Sequence, residues 1–160
     1  MKKNLTTIKD FIDKSIGEWK SIRSTHTLAF QEFENTTSNL IISYLDINNE
    51  EVNFIVNKFN FSLNPEFAIS ISWMATTNWI EENVTQNETI LVFLPKDSNS
   101  GIILRNKGYS ELIHCHSNYL LDDKNHLDIV TEYNSTISEE KVWFLSKNVR
   151  TRYSIIKNKN

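Results

Sequence analysis

Apolar positions along the chain follow two periods. Ile8, Phe11, Ile12 and Ile16 recur at spacings of three and four, which predicts one helical face, with Thr6 or Thr7 placed to cap it and Gly17 to end it. From Trp19 the period drops to two. Trp19 to Phe30, and then the run from Ser38 to Leu45 rich in Ile, Leu and Tyr, predict strands. Asn48, Asn49, Glu50 and Glu51 supply caps and first-turn acids for a short helix whose Val52, Ile55, Val56 and Phe59 share a face; Pro65 closes it. Beyond Pro65 the alternating runs are Phe67 to Ala75, Thr77 to Glu82, Thr89 to Leu94, Gly101 to Asn106, Tyr109 to Leu121, His126 to Tyr133, Ser138 to Leu145 and Val149 to Ile156. Turn residues separate them at 97–101, 106–108, 122–125 and 147–148, with Asn and Asp doing the work of glycine. About ten tandem strands with short connections describe an all-β antiparallel meander carrying two short helices. A sheet of that size is expected to close into an up-and-down barrel, because closure removes exposed edges.

Composition narrows this picture. The 160 residues are enough for one domain, expected over 1–160, with a core that needs no staples. A hydrophobic fraction of 39% with 11% aromatics puts the chain above compositions that stay disordered. A net charge of −3, evenly spread, argues against phosphate-backbone binding and hence against nucleic acid as a partner. The one cysteine cannot form an internal disulfide, and no Cys-x-x-Cys pair points to structural zinc. No run approaches the roughly 20 apolar residues that span a bilayer, and the N-terminus lacks the apolar core of a secretory signal. A cytoplasmic protein without membrane association is the expectation. The six Asn-x-Ser/Thr triplets follow from the chain's twenty Asn and are not read as glycosylation sites.

Several residues carry candidate chemistry. Gly17-Glu18-Trp19, after a short helix and opening the first strand, has the Gly-x-Trp form found at the start of lipocalin-type barrels. There the indole plugs the closed end and an Arg from a late strand lies across it; Arg150 and Arg152 are the available partners. A barrel of eight to ten strands can hold one small ligand. Trp73, Trp79, Trp143, Tyr109, Tyr119, Tyr133 and Phe144 could wall it, and an inward Arg23, Arg150 or Arg152 would need a counter-charge or an anionic ligand. Glu132, Glu139 and Glu140 could supply that counter-charge; the competing reading turns each arginine outward to solvent. Arg150 and Arg152 share a face by alternation. His114 and His116 flank Cys115 and could begin a metal site if His26, His126 or a carboxylate joined them, but two ligands alone make none. A lone Cys on an alternating strand is more often a small buried residue than a nucleophile. Neither a Ser-His-Asp order nor a glycine-rich phosphate loop occurs.

The first strand, Trp19-Lys20-Ser21-Ile22-Arg23-Ser24-Thr25-His26, resembles the Trp-x-Ser-x-Arg-Thr-x-His opening of the CpcS/CpeS (S-type) phycobiliprotein lyases. Later blocks agree in order: Ser72-Trp73 followed by Trp79; Gly101 to Glu111, with Leu104-Arg105 and Lys107-Gly108-Tyr109; Leu127 with Thr131-Glu132-Tyr133; and Ser138-Glu139-Glu140 through Trp143-Phe144 to Arg150-Thr151-Arg152. The resemblance covers nearly the whole chain and points to the phycoerythrin-specific CpeS branch. It departs after Ile156-Lys157, where many members continue into a further segment.

That resemblance implies a barrel of lipocalin or fatty-acid-binding type and no permanently bound cofactor. Its substrate would be a linear tetrapyrrole, with phycoerythrobilin expected, handed over by a bilin reductase. The activity implied is lyase: attachment of the bilin through a thioether to a cysteine of an apo-phycobiliprotein, with the phycoerythrin β subunit expected. Such a protein would work in phycobilisome assembly in a photosynthetic cell, in the cytoplasm or a plastid stroma, as a homodimer. Glu140 and Arg150 match the family's chromophore-binding pair, Glu140 for pyrrole nitrogens and Arg150 for a propionate; Arg23, Trp73, Tyr109, Trp143 and Arg152 are further candidates for bilin contact, and no metal site is implied. The alternative is a non-catalytic carrier of a bilin, haem or fatty acid.

Overall fold

The structure, a computed structural model, describes residues 6–76, 84–108 and 113–159. Helix α1 spans Ile8–Ser15. Thr7 caps it in a reciprocal box, accepting from the Asp10 amide at 3.2 Å while the Asp10 carboxylate accepts from the Thr7 amide at 2.9 Å. Ile8, Phe11 and Ile12 are buried as their spacing requires, and Ile16 caps the C-terminus. Gly17 then opens the first strand at φ +135°, a conformation open to few residues other than glycine.

Nine strands follow in sequential order: β1 Gly17–Thr27, β2 Glu32–Leu45, β3 Phe67–Thr76, β4 Val84–Pro95, β5 Ser100–Arg105, β6 Cys115–Leu121, β7 Leu127–Glu132, β8 Thr136–Ser146 and β9 Val149–Asn158. Every pairing is antiparallel and joins sequence neighbours, so the sheet is an up-and-down meander curled into a half-barrel of lipocalin-like form. The expected run from Thr77 to Glu82 lies outside the described residues. Among the described residues β1 and β9 do not pair. Their charged side chains, Lys20 and Arg23 on β1 with Arg150, Arg152 and Lys157 on β9, are the other means by which a sheet edge resists further pairing.

β2 begins six residues earlier than its hydrophobic run. Residues 32–36 pair with β1 but precede the β2–β3 ladder, which starts at Thr37, so the hairpin projects as a two-stranded ribbon. Most of its side chains face solvent, which leaves no apolar alternation to read in Glu32 to Thr37. At the ribbon's tip Gln31 takes a left-handed φ of 53°. Elsewhere Asp and Asn build the turns as expected: Asp97 accepts the amides of Asn99 and Ser100, Asp122 those of Lys124 and His126, and Asn125 sits at φ 62°.

Two cores result. α1 lies in the concave face and packs Ile8, Phe11 and Ile12 against Ile42, Phe67, Phe93, Ile103 and Leu127. The second helix, α2 (Glu50–Asn57), capped by Asn49, packs Val52 and Ile55 on the convex face of β3 to β5 against Ala68, Val92 and Leu104. β4 and β5 are therefore covered on both sides, which is why residues 89–94 and 102–104 run almost continuously apolar.

Candidate functional site

β5, β8 and β9 build a charged cluster in the concave face. In β5 the even residues Ile102 and Leu104 turn toward α2, so Gly101, Ile103 and Arg105 turn inward. In β8 inward Val142 and Phe144 fix Glu140 and Ser138 on the same side, and the register Val142↔Arg152 and Phe144↔Arg150 carries that side onto β9. Glu140 and Arg105 side chains are each 3% exposed. Arg105 Nη2 donates to Glu140 Oε2 at 2.9 Å; Arg152 donates through Nε to Oε1 at 3.1 Å and through Nη2 to the same oxygen. One carboxylate is thus held at both oxygens by guanidinium groups from two strands.

Burial alone pushes the Glu140 carboxyl up, but the charges of Arg152 and Arg105 and their hydrogen bonds override it and hold it below the usual carboxylate range. It is an ionised acceptor, and a poor proton donor. Around it lies a polar belt: Ser117 and Thr131 share a 2.6 Å hydrogen bond, and Ser138 Oγ, buried, has no hydrogen-bond partner among the described residues. Cys115 is paired with Arg105 in the β5–β6 ladder. Burial raises its thiol, against the opposing pull of Arg105 and a hydrogen bond with Tyr133, so it stays a neutral buried thiol and no nucleophile.

Glu140, Arg150 and Arg152 therefore share the inward face. Arg150 is half-buried opposite Phe144, whose ring meets Phe11 at 5.2 Å and Trp19 at 6.2 Å. Trp19 itself is tied to α1 through Nε1 to the Ser15 carbonyl at 2.9 Å. Trp73 is inward and half-buried, between Leu40 and Asn87 on the neighbouring strands. Arg23 is inward by register but exposed, at the foot of the ribbon opposite Thr36. Tyr109 and Trp79 lie outside the described residues.

Trp143 corrects the expectation. With Val142 and Phe144 inward, parity sends Trp143 to the convex face, where its ring tilts against His126 at 5.9 Å, so it is not part of the cluster. Glu139 likewise turns outward to Lys157 at 2.8 Å, and Glu132 is exposed. The histidines are dispersed: His26 stacks on Phe33, His114 meets Phe54, and His116 meets Phe59 and Phe61 beneath α2. Among the described residues no group of three His, Cys, Asp or Glu is placed to hold a metal ion. No helix among them is long and apolar enough to cross a membrane.

Arg105 was absent from the candidate arginines, though one signal could have found it. It ends an otherwise apolar strand, Gly-Ile-Ile-Leu-Arg, where a buried charge requires a partner.

Four arginines, at 23, 105, 150 and 152, face the concavity in a chain whose net charge is −3, against, among the described residues, Glu140 in the body of the sheet and Glu32 and Glu34 on the ribbon. This defines a lipocalin-like half-barrel whose concave face carries an excess of guanidinium charge among the described residues. The family model for "CpeS-like protein" matches residues 7–160. Chromophore lyase CpcS/CpeS 3 of Trichodesmium erythraeum is 33% identical over 153 residues, covering 94% of this chain and 88% of that protein. Chromophore lyase CpcS/CpeS of Thermosynechococcus vestitus is 31% identical over 154 residues, covering 94% and 84%. The solved S-type phycobiliprotein lyase CPES of Guillardia theta superposes with a TM-score of 0.82 at 26% identity, covering 96% and 84%. The chain belongs to the CpeS-like family of chromophore lyases.

Proposed function

We propose that this chain binds a linear tetrapyrrole in the concave face and attaches it to a cysteine of an apo-phycobiliprotein, with phycoerythrobilin as the bilin and the phycoerythrin β subunit as acceptor. The observation that carries this reading is the cluster of Arg105, Glu140 and Arg152 with Arg150 beside it. A bilin brings two propionates, which call for arginines, and pyrrole nitrogens whose protonated form calls for a fixed carboxylate. Arg150 suits one propionate and Arg152 the other, Glu140 the pyrrole N–H groups, and Trp73 the conjugated plane. Arg23, exposed at the ribbon's foot, suits the outer part of the ligand.

In the bond-forming step the acceptor thiol adds across the ethylidene double bond of the terminal ring. Sulfur bonds to the exocyclic carbon, and the proton lost by the thiol returns to the ring carbon at the other end of that bond. No oxidant, metal or protein nucleophile is consumed. Glu140, held ionised, acts by stabilising the pyrrolium charge and its electron-poor π-system, while the barrel fixes geometry; rate and stereochemistry come from proximity and orientation. No cofactor stays bound between turnovers. Delivery of the bilin by a reductase, a homodimeric assembly and a location with the phycobiliproteins, cytoplasmic or stromal, go with this reading.

Titrating phycoerythrobilin into Arg150→Ala and Glu140→Gln tests the site. Each variant is expected to weaken binding by about 10- to 100-fold, the worth of a hydrogen bond to a charged group, and Glu140→Gln also to shift the visible band. Wild-type spectra and affinity in both would remove these residues from the site. Co-expression with phycoerythrin subunits and a bilin-forming reductase tests transfer: a fluorescent band that survives denaturation is expected on one subunit, and its absence on all subunits would make carriage the better description.

A further inference from the structure

The two arginines on Glu140 are not equivalent. Arg105 is 3% exposed; Arg152 is 31% exposed. Arg105 ends a strand paired on both sides, with Leu91 on β4 and Cys115 on β6, and its neighbour Leu104 is pinned under α2. Arg152 belongs to β9, which among the described residues pairs on one side only. They also take different oxygens, Oε2 for Arg105 and Oε1 for Arg152, so release of one contact leaves the other intact. Among the described residues the Cys115 thiol, hydrogen-bonded with Tyr133, also feels the charge of this carboxylate.

We propose that Arg105 is the positioning residue of the site: it remains on Glu140 as a permanent counter-ion while Arg152 turns from Glu140 to an acid group of the ligand. The proposal rests on the bilin-binding reading above. Its physical basis is the cost of an isolated buried charge. If Glu140 depended on Arg152 alone, moving that guanidinium to a ligand carboxylate would leave the protonated pyrrole as the buried carboxylate's sole counter-ion, and the proton would pass from pyrrole to carboxylate to relieve the buried charge pair. A neutral Glu140 could no longer stabilise protonated pyrroles. With Arg105 fixed on the far oxygen, Arg152 is exchangeable and Glu140 keeps its charge in the loaded site. Arg105 thus acts through Glu140, and the roles divide into a buried arginine that sets charge and an exposed one that meets substrate.

The test is the visible spectrum of bound phycoerythrobilin between pH 6 and 8, together with the dissociation constant. In Arg105→Met the bound bilin is expected to lose the long-wavelength band of its protonated form at neutral pH. In Arg152→Met that band is expected to persist, while Kd rises by about 10- to 100-fold. A band unchanged in Arg105→Met, or lost equally in Arg152→Met, overturns the proposal. Should Arg105→Met not fold, Arg105→Lys and Arg152→Lys keep every charge. Arg105→Lys, a compact ammonium in place of a planar fork, is then expected to move the band's pH profile, whereas Arg152→Lys changes Kd alone; the opposite pattern refutes the division of roles. Failure of the wild type to bind any bilin would strike at the functional reading instead, which separates the two.

Discussion

Gly101, the second residue of β5, is glycine because the sheet leaves no room there for a side chain. A Cβ built on it would lie 2.4 Å from the Leu94 carbonyl oxygen and 2.8 Å from both Pro95 Cα and Tyr119 Oη, and two of those three atoms are backbone. Gly101→Ala is therefore expected to cost about 1–3 kcal/mol, the usual penalty of overpacking, read as a lower urea midpoint at unchanged m-value. An unchanged midpoint would mean that β4 and β5 yield more easily than their burial on both faces implies. Glu140 makes a second residue-scale case. Its carboxyl titrates lower in the folded chain than in the unfolded one, since Arg152 and Arg105 outweigh the opposing effect of burial. Between the two values the unfolded chain holds more protons. The stability Glu140 contributes is thus complete above the ordinary glutamate value of 4.5 and is lost as pH falls through the lower folded one. Asp10, Asp13 and Asp97, lowered by hydrogen bonds from Thr7, Lys9 and Ser100, keep some acid slope in any variant. Urea midpoints from about pH 5 downward are expected to fall less steeply in Glu140→Gln than in the wild type, and parallel slopes would show that the pair does not govern acid stability.

At the scale of elements, α1 is both easy to read and essential. Its face of Ile8, Phe11 and Ile12 and its Thr7 cap follow from spacing and residue type, because a short helix has to bury a stripe and satisfy its first amides. Beyond the shared core, Ile8 donates its amide to the Ser98 carbonyl at 2.9 Å, and Lys9, Asp13 and the Tyr44 hydroxyl form a hydrogen-bonded triad that joins the helix to β2. Phe11 is 1% exposed and meets Phe144 edge to face, so Phe11→Ala is expected to cost about 3–5 kcal/mol and to loosen the wall on which Arg150 stands. A calorimetric scan with an unshifted melting temperature would show the helix to be an accessory. The hairpin ribbon is the opposite case. Residues 32–36 are strand only because β1 lies beside them, and with both faces largely wet they carry no periodic signal. The same limit applies to β8, where alternation separates Trp143 from Phe144 but does not say which is inside. That was settled by Phe144 meeting Phe11 and Trp19.

Across the whole molecule, the sheet brings together groups that are remote in the chain. Arg105 and Glu140 lie 35 positions apart on β5 and β8, with two strands between them, and meet only because the meander curls. The sequence by itself determined the class of fold, since period-two runs with Asp and Asn turns at short intervals leave an antiparallel meander as the economical way to bury one face. It determined α1 and α2 through their caps and stripes; resemblance to the lyase family marked Glu140 and Arg150, strand alternation put Arg152 on the face of Arg150, and the β8–β9 hairpin places all three on one side. Tertiary structure alone decided which side that was, because parity is symmetric until one face is covered. It turned Trp143 to the convex face beside His126, Glu139 to Lys157 and Glu140 to the interior. It also selected Arg105, whose importance lies in its burial and in its ion pair with Glu140, both set by curvature and not by any local pattern of residues.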